Sequence, residues 1–258
     1  MKFFKELWDY REMINSLVKR DLKSRYKGSV LGVLWMFMDP LLQLVVYSIV
    51  FSTIMPMGID KFYLFLSVTL IPWIFFSTCL TGGTGIILGQ QDMVKKIYFP
   101  REVLPIVYTT ANFVNMLFSF VVVFVVIAVS RIGFNPVALI FLPLVMIIEY
   151  MLSLGITLFA AGVTVYFRDF QHIFGVLSLA WMYLTPVIYP SSAIPEKYRT
   201  LFFLNPMTPV SESYRSILYY KTVPELKMLL LAFVSSFVVM VFGFVSFGLM
   251  KRRFVEEL

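Results

Sequence analysis

The chain has 258 residues, of which 59% are hydrophobic and only 14% charged, against roughly 45–50% and about 25% in soluble domains. One 29.9 kDa core cannot bury that much apolar surface, so lipid must solvate much of it, which argues against a soluble fold. The single cysteine, Cys79, and single histidine, His172, rule out a disulfide scaffold and leave no soft-ligand set for zinc or haem; the net charge of +7 has to be located before it implies a partner.

Residues 1–27 come first. Phe4, Leu7, Trp8, Ile14, Leu17, Val18 and Leu22 recur at helical spacing among basic residues, with Arg11 breaking the stripe. No uninterrupted apolar run of the length a signal peptide needs occurs here. The pattern predicts an amphipathic helix in the cytoplasmic interface, with a partly ordered basic leader as the alternative.

From residue 28 onward the apolar stretches predict six membrane spans, about 30–56, 62–88, 103–130, 136–167, 171–190 and 227–250. Three of them lie in charge-free gaps, Lys61 to Asp92, Glu102 to Arg131 and Lys227 to Lys251, each longer than the ~20 residues a helix needs to cross ~30 Å of hydrocarbon. The fold class expected is therefore an all-α integral membrane protein. A transmembrane barrel would show short alternating segments, and runs such as Phe118 to Val129 do not alternate.

In the first span Asp39 precedes Pro40, which predicts a kink because the residue before a proline is pushed out of helical conformation. Trp35, Asp39, Gln43 and Tyr47 follow at steps of four and share one broad face. An ionisable residue in a membrane turns toward protein or water, or sits shallowly and caps a kinked half-helix; both roles are open to Asp39. After the second span, Gly82-Gly83-Thr84-Gly85 lacks the following Gly-Lys-Ser/Thr of a phosphate loop. Gly85 and Gly89 are spaced instead for close helix approach. No Ser/His/Asp or Cys/His set can be assembled around one histidine, so no enzyme site is expected.

The connection between the second and third spans runs through Asp92, Lys95, Lys96, Ile97, Tyr98, Phe99, Pro100, Arg101 and Glu102. It is a short amphipathic piece that either docks on a soluble partner or rests on headgroups. Glu149 lies mid-way along the fourth span, where it serves either as an inter-helix hydrogen-bonding residue or as part of a proton relay with no second ionisable member. Between the fifth and sixth spans, residues 191–226 carry Pro195, Pro206, Pro209 and Pro224. Two short helices are predicted, Pro195 to Leu204 and Pro209 to Tyr220, with Thr208 as N-cap and Pro209 at the first helical position. Such helices stay at membrane depth only if buried in protein or lining a cavity.

Orientation follows from Lys and Arg on the short flanks. Fifteen lie on the side of residues 1–27, the segment Lys95 to Arg101, Arg168 and the Lys251-Arg252-Arg253 tail, against seven on the other. Both termini are expected in the cytoplasm. The basic excess is topological, and no nucleic-acid partner is expected.

The ordered pieces Tyr26-Lys27-Gly28-Ser29-Val30-Leu31-Gly32-Val33-Leu34-Trp35 with Asp39-Pro40, then Phe99-Pro100-Arg101-Glu102-Val103-Leu104-Pro105, Phe167-Arg168-Asp169, Thr185-Pro186-Val187-Ile188-Tyr189 and Asn205-Pro206 resemble the permease subunit of polysaccharide ABC exporters, the O-antigen and teichoic-acid type. The resemblance runs over essentially the whole chain. It implies a homodimer in the bacterial plasma membrane that moves a lipid-linked glycan, with no cofactor of its own and with ATP and Mg on two copies of a separate ATPase. It further implies that Asp92, Lys95, Lys96, Phe99, Pro100, Arg101 and Glu102 couple to that ATPase, and that the segment with Tyr198, Glu212, Tyr214 and Arg215 forms an outer gate. An aromatic channel is also implied, with Trp35, Asp39, Gln43 and Tyr47 as candidates and Trp73, Trp181 and Tyr183 as weaker ones. The residues leave two alternatives open, an ABC permease for a small molecule and an ion-coupled secondary transporter.

Overall fold

The computed structural model describes residues 7–254, and among these the regular elements are all helical. Phe4 of the expected N-terminal stripe lies outside them. Helix α1 (Arg11–Tyr26) leads to a 3-10 turn, Gly32–Leu34, and α2 (Trp35–Ile49), followed by α3 (Phe62–Gly83) and two short helices, α4 (Ile86–Gly89) and α5 (Gln91–Lys96). Next come α6 (Val103–Ser130), the single turn α7 (Pro136–Leu139), α8 (Leu142–Tyr166) and α9 (Phe170–Tyr183). The chain ends through α10 (Glu196–Leu204), α11 (Met207–Arg215) and α12 (Leu226–Met250).

Five helical stretches are long and apolar enough to cross a membrane: Gly32–Ile54, Phe62–Gly83, Val103–Ser130, Pro136–Tyr166 and Leu226–Arg253. The stretch expected as a span at 171–190 differs. Its helix stops at Tyr183 after 14 residues, about 21 Å at 1.5 Å per residue and short of the hydrocarbon thickness.

Helix α3 is apolar all round and is therefore the one enclosed by the others, with every residue from Leu64 to Trp73 buried. It packs on α6 and α8, while α8 packs on α12. That last pair approaches backbone to backbone. A Cβ on Gly155 would lie 2.5 Å from the Val239 carbonyl oxygen, and one on Gly243 would strike the Gly155 backbone. Gly155 meets Val239 and Met240 while Gly162 meets Phe247 and Met250, so α8 and α12 run in the same direction. Gly85 and Gly89, expected to serve such an approach, do not. Gly89 has open space around its Cα, and the nearest atom to a Cβ on Gly85 is Gln171 Nε2 at 3.9 Å.

Asp39 stays helical and α2 continues through Pro40, contrary to the expected departure from helix. Pro40 has no N–H to offer the Met36 carbonyl one turn back, and the Ser119 hydroxyl of α6 donates to that carbonyl at 3.0 Å. The vacancy left by the proline thus becomes a tie between two helices.

Helix α1 docks on protein. Val18 is buried with Ile87, Val94, Phe99, Leu104, Phe247 and Phe254, and Leu7, Met13, Ile14, Leu17 and Leu22 pack partly against them. Trp8, assigned to the same stripe, is 68% exposed.

Candidate functional site: a polar cleft between α2 and α6

Trp35, Asp39 and Gln43 come together on one wall of a cleft of about 390 Å³. Its other wall is α6, whose Asn112, Asn115 and Ser119 fall within two helical turns, and α3 closes it with Ile74, Phe75 and Thr78. Counted from the helix starts at Gly32 and Val103, Asp39 and Asn112 lie roughly 10–14 Å along the apolar stretches, well inside the length that would be immersed in lipid. Arg25 of α1 sits at the mouth. Its Nε and Nη2 bind Asp21 at 2.8 and 2.7 Å, its Nη1 donates to Asn112 Oδ1 at 2.6 Å, and its guanidinium lies 5.5 Å from the centre of the Tyr108 ring. The Trp35 indole donates to Ser29 Oγ at 2.9 Å, which fixes the plane of the ring. An aromatic face beside a carboxylate and several amides suits a polyhydroxylated ligand better than lipid tails.

The other channel candidates are placed elsewhere. Tyr47 is half-buried, with its hydroxyl 4.0 Å from Met182 Sδ of α9. Trp73 is 4% exposed and packs on Phe76 in the protein interior, so it offers no face to a passage. Trp181 stacks edge-on against Phe76 and donates to Asn205 Oδ1 at 2.9 Å. Tyr183 is exposed and not part of the cleft.

In the segment after α9 one side chain, that of Asn205, ties three pieces of chain together. Its Oδ1 takes the Trp181 indole bond, its Nδ2 donates to Thr185 Oγ1 at 2.8 Å, and its Oδ1 also accepts from Met207 N at 3.0 Å. Asn205 therefore caps α11, which begins at Met207, two residues before the expected start. Thr208, expected as the N-cap, is inside the helix and fully buried.

Tyr214 and Arg215, which the resemblance assigns to an outer gate, are likewise fully buried. The Tyr214 hydroxyl donates to Glu149 Oε2 at 2.6 Å, so Glu149 takes the inter-helix hydrogen-bonding role and joins α8 to α11. Arg215 binds Glu212 Oε1 at 2.5 Å and donates to the Pro186 and Val187 carbonyls at 2.6 and 3.2 Å, with its guanidinium 4.0 Å from the Phe65 ring centre. Burial lowers the arginine pKa, and the Glu212 carboxylate opposes that shift only in part. Tyr198 is about half exposed, with Lys197 Nζ 5.5 Å from its ring centre. The pieces Thr185-Pro186-Val187 and Asn205-Pro206 are thus parts of one knot.

At the end of the bundle that carries α1 and the close of α12, the segment Val94 to Arg101 lines a recess of about 490 Å³ with Lys251 and Arg252. Its residues divide in two. Phe99, Pro100 and Glu102 are buried, Arg101 donates to the Lys251 carbonyl, and Lys251 pairs with Glu102, so this half fastens the segment to the chain's own α12. Asp92, Lys95, Lys96, Ile97 and Tyr98 are exposed, Tyr98 at 90%; Asp92 and Lys96 pair at 3.4 Å. Ile97 and Tyr98 are exposed apolar and aromatic neighbours that the charge pattern did not single out, and their position just before Phe99-Pro100 was the available signal.

The ABC-2 type transporter family matches residues 12–219. The chain belongs to this family. It is 35% identical over 260 residues to an O-antigen export system permease protein of Myxococcus xanthus, covering 100% of both chains. A protein of the same description from Klebsiella pneumoniae is 27% identical over 247 residues, 96% of this chain and 95% of the relative. A polysialic acid transport protein of Escherichia coli is 25% identical over 206 residues, 78% and 79% of the two chains. Permeases of this family are transport components whose ATP hydrolysis resides on a separate subunit, which removes the ion-coupled secondary transporter from the alternatives.

Proposed function

We propose that the chain is the membrane-spanning subunit of an ATP-driven exporter that moves a lipid-linked polysaccharide across the bacterial plasma membrane. The observation that carries this reading is the polar, aromatic-walled cleft of Trp35, Asp39, Gln43, Asn112 and Asn115 set within otherwise apolar helices. A sugar polymer presents C–H faces alternating with hydroxyls. Flat aromatic and amide surfaces let it slide where deep pockets would stall it. Relatives named for O-antigen export that match the full length support the substrate class; a small-molecule permease would have less use for such a wall.

Six crossings with both termini cytoplasmic remain the arrangement we favour. The parallel course of α8 and α12 supports it, because the chain between Tyr166 and Leu226 has to return across the bilayer before α12 begins. In this arrangement α9 and the turn-rich residues 184–190 make the fifth crossing, and α10 and α11 form an outer segment held by the Glu149, Arg215 and Asn205 contacts. A second copy of the chain completes the passage. The exposed half of the segment Asp92 to Tyr98 meets the ATPase, which carries ATP and Mg.

Trp35→Ala is expected to lower surface polysaccharide severalfold in cells dependent on this transporter, with membrane insertion and ATPase co-purification retained. Normal export in that variant, together with cysteines at 35, 39 and 43 reacting only with lipid-phase probes, would make the cleft a packing seam.

A further inference from the structure

We propose that the α2–α6 cleft selects uncharged glycans over polyanionic ones, with Asp39 as the discriminating group; this rests on the export function proposed above. The cleft contains one cation and one anion, but they do not cancel. Arg25 is committed to Asp21 through Nε and Nη2 and to Asn112 through Nη1, so its charge is already balanced by a carboxylate of its own helix. Asp39 is exposed on the cleft wall and has no cation within ion-pair distance among the described residues. The other polar lining groups, Gln43, Thr78, Asn112, Asn115 and Ser119, are neutral. One net negative charge therefore faces whatever occupies the cleft.

A neutral pyranose gains from this arrangement, since its hydroxyls donate to the Asp39 carboxylate and exchange hydrogen bonds with the amides while a C–H face lies on Trp35. Charge-assisted bonds of that kind are shorter and stronger than neutral ones. A repeat unit bearing a uronate, sialate or phosphate places a like charge beside Asp39, a repulsion that is largest at contact distance and falls with added salt. Pores that carry anions line themselves with Arg and Lys, and acidic rings favour cations. Rejection by a misplaced like charge is a common source of specificity.

The test uses the full transporter, this chain with its ATPase, in cells lacking other exporters. The cells are supplied with either of two polymers built on the same lipid carrier: a polymannose, and a polymer of equal length with one uronic acid per repeat. The readout is the ratio of acidic to neutral polymer at the surface. The wild-type ratio is expected at or below about 0.1. Asp39→Asn is expected to raise it about tenfold, which corresponds to about 1.4 kcal/mol, whereas Asp39→Glu keeps it low. Gln43→Glu, which adds a second carboxylate without touching Asp39, is expected to lower it further, so the inference does not hang on one substitution. An Asp39→Asn ratio equal to wild type, or a rise as large in Asp39→Glu, overturns the selectivity and leaves the export function standing. Export of neither polymer by the wild-type transporter overturns the export function, and the inference with it.

Discussion

Removing a single oxygen atom tests whether α11 is held in the helical body by its buried carboxylate. Tyr214→Phe deletes the hydroxyl that donates to Glu149 Oε2 at 2.6 Å, with both side chains fully buried. Volume barely changes, so the cost is polar. Glu149 Oε1 already has no partner among the described residues, and the substitution leaves the second oxygen bare as well. An orphaned buried polar group costs about 1–3 kcal/mol. Hydrogen-bond couplings measured in bilayers average only about 0.6 and reach about 1.7 kcal/mol, because an unfolded segment in lipid finds other partners. Here the carboxyl is enclosed by protein on α8 and α11, so we expect about 2 kcal/mol. Adding Glu149→Met removes the orphan and nearly conserves side-chain length, and the double variant should recover at least half of the loss. Unfolding in mixed micelles followed by tryptophan fluorescence reads all four chains, wild type, Tyr214→Phe, Glu149→Met and the double variant. A Tyr214→Phe protein within about 0.5 kcal/mol of wild type, or a Glu149→Met change that costs the same in both backgrounds, would refute the anchoring role.

Three further outcomes are expected. Gly155→Ala or Gly243→Ala should destabilise by about 1–3 kcal/mol, since each Cβ meets the facing backbone, whereas Gly89→Ala stays within about 0.5 kcal/mol in the same unfolding assay. Tyr98→Ala should lower ATPase co-purification with an unchanged thermal midpoint. Arg101→Glu should lower both, because Arg101 binds the Lys251 carbonyl of its own chain; the reverse assignment would make Arg101 the contact with the ATPase. Cysteines introduced at Lys95 and Ser191 should label oppositely with an impermeant maleimide in intact cells, Ser191 reacting and Lys95 not. The natural Cys79 is fully buried and serves as the silent background; labelling at Lys95 alone would invert the topology.

Five of the six expected spans were legible because hydrophobic length is a property of a segment by itself. Which span is central was not. Gly32–Ile54 and Phe62–Gly83 are equally apolar along their 18 most apolar residues, yet 17% of those residues are buried within the protein in the first and 78% in the second, a difference that arises only when the helices pack. Steps of four placed Trp35, Asp39 and Gln43 on one wall, since they share a helix; the facing wall of Asn112, Asn115 and Ser119 needed a second helix at a register no local pattern specifies. The expected departure from helix at Asp39 did not occur, for a similar reason. Local sterics favour a break there, and the Ser119 hydroxyl, 83 residues away, satisfies the carbonyl that the proline leaves free. The partners of Tyr214 and Arg215 were not legible either, because those groups, on α8, α3 and the Pro186-Val187 turn, come from distant parts of the chain.

The same contacts divide the molecule into a part built to stay fixed and a part left open. Side chains cannot shift where Gly155 and Gly243 place backbone on backbone, and the fully buried Arg215 loses its carbonyl partners if the Pro186-Val187 turn moves away from α11. Breaking such a buried charged contact costs about 3–5 kcal/mol, so α8, α11, α12 and that turn are expected to travel as one body. Among the described residues helix α2 has no comparable anchor. It is held by the Ser119 bond and by apolar packing through Met36 and Leu44, while Leu42, Val45, Val46 and Ile49 remain exposed. Motion of α2 where it borders the cleft is therefore expected to cost less than motion within α8, α11 and α12, and a passage for a polymer of variable width gains from a wall that yields there.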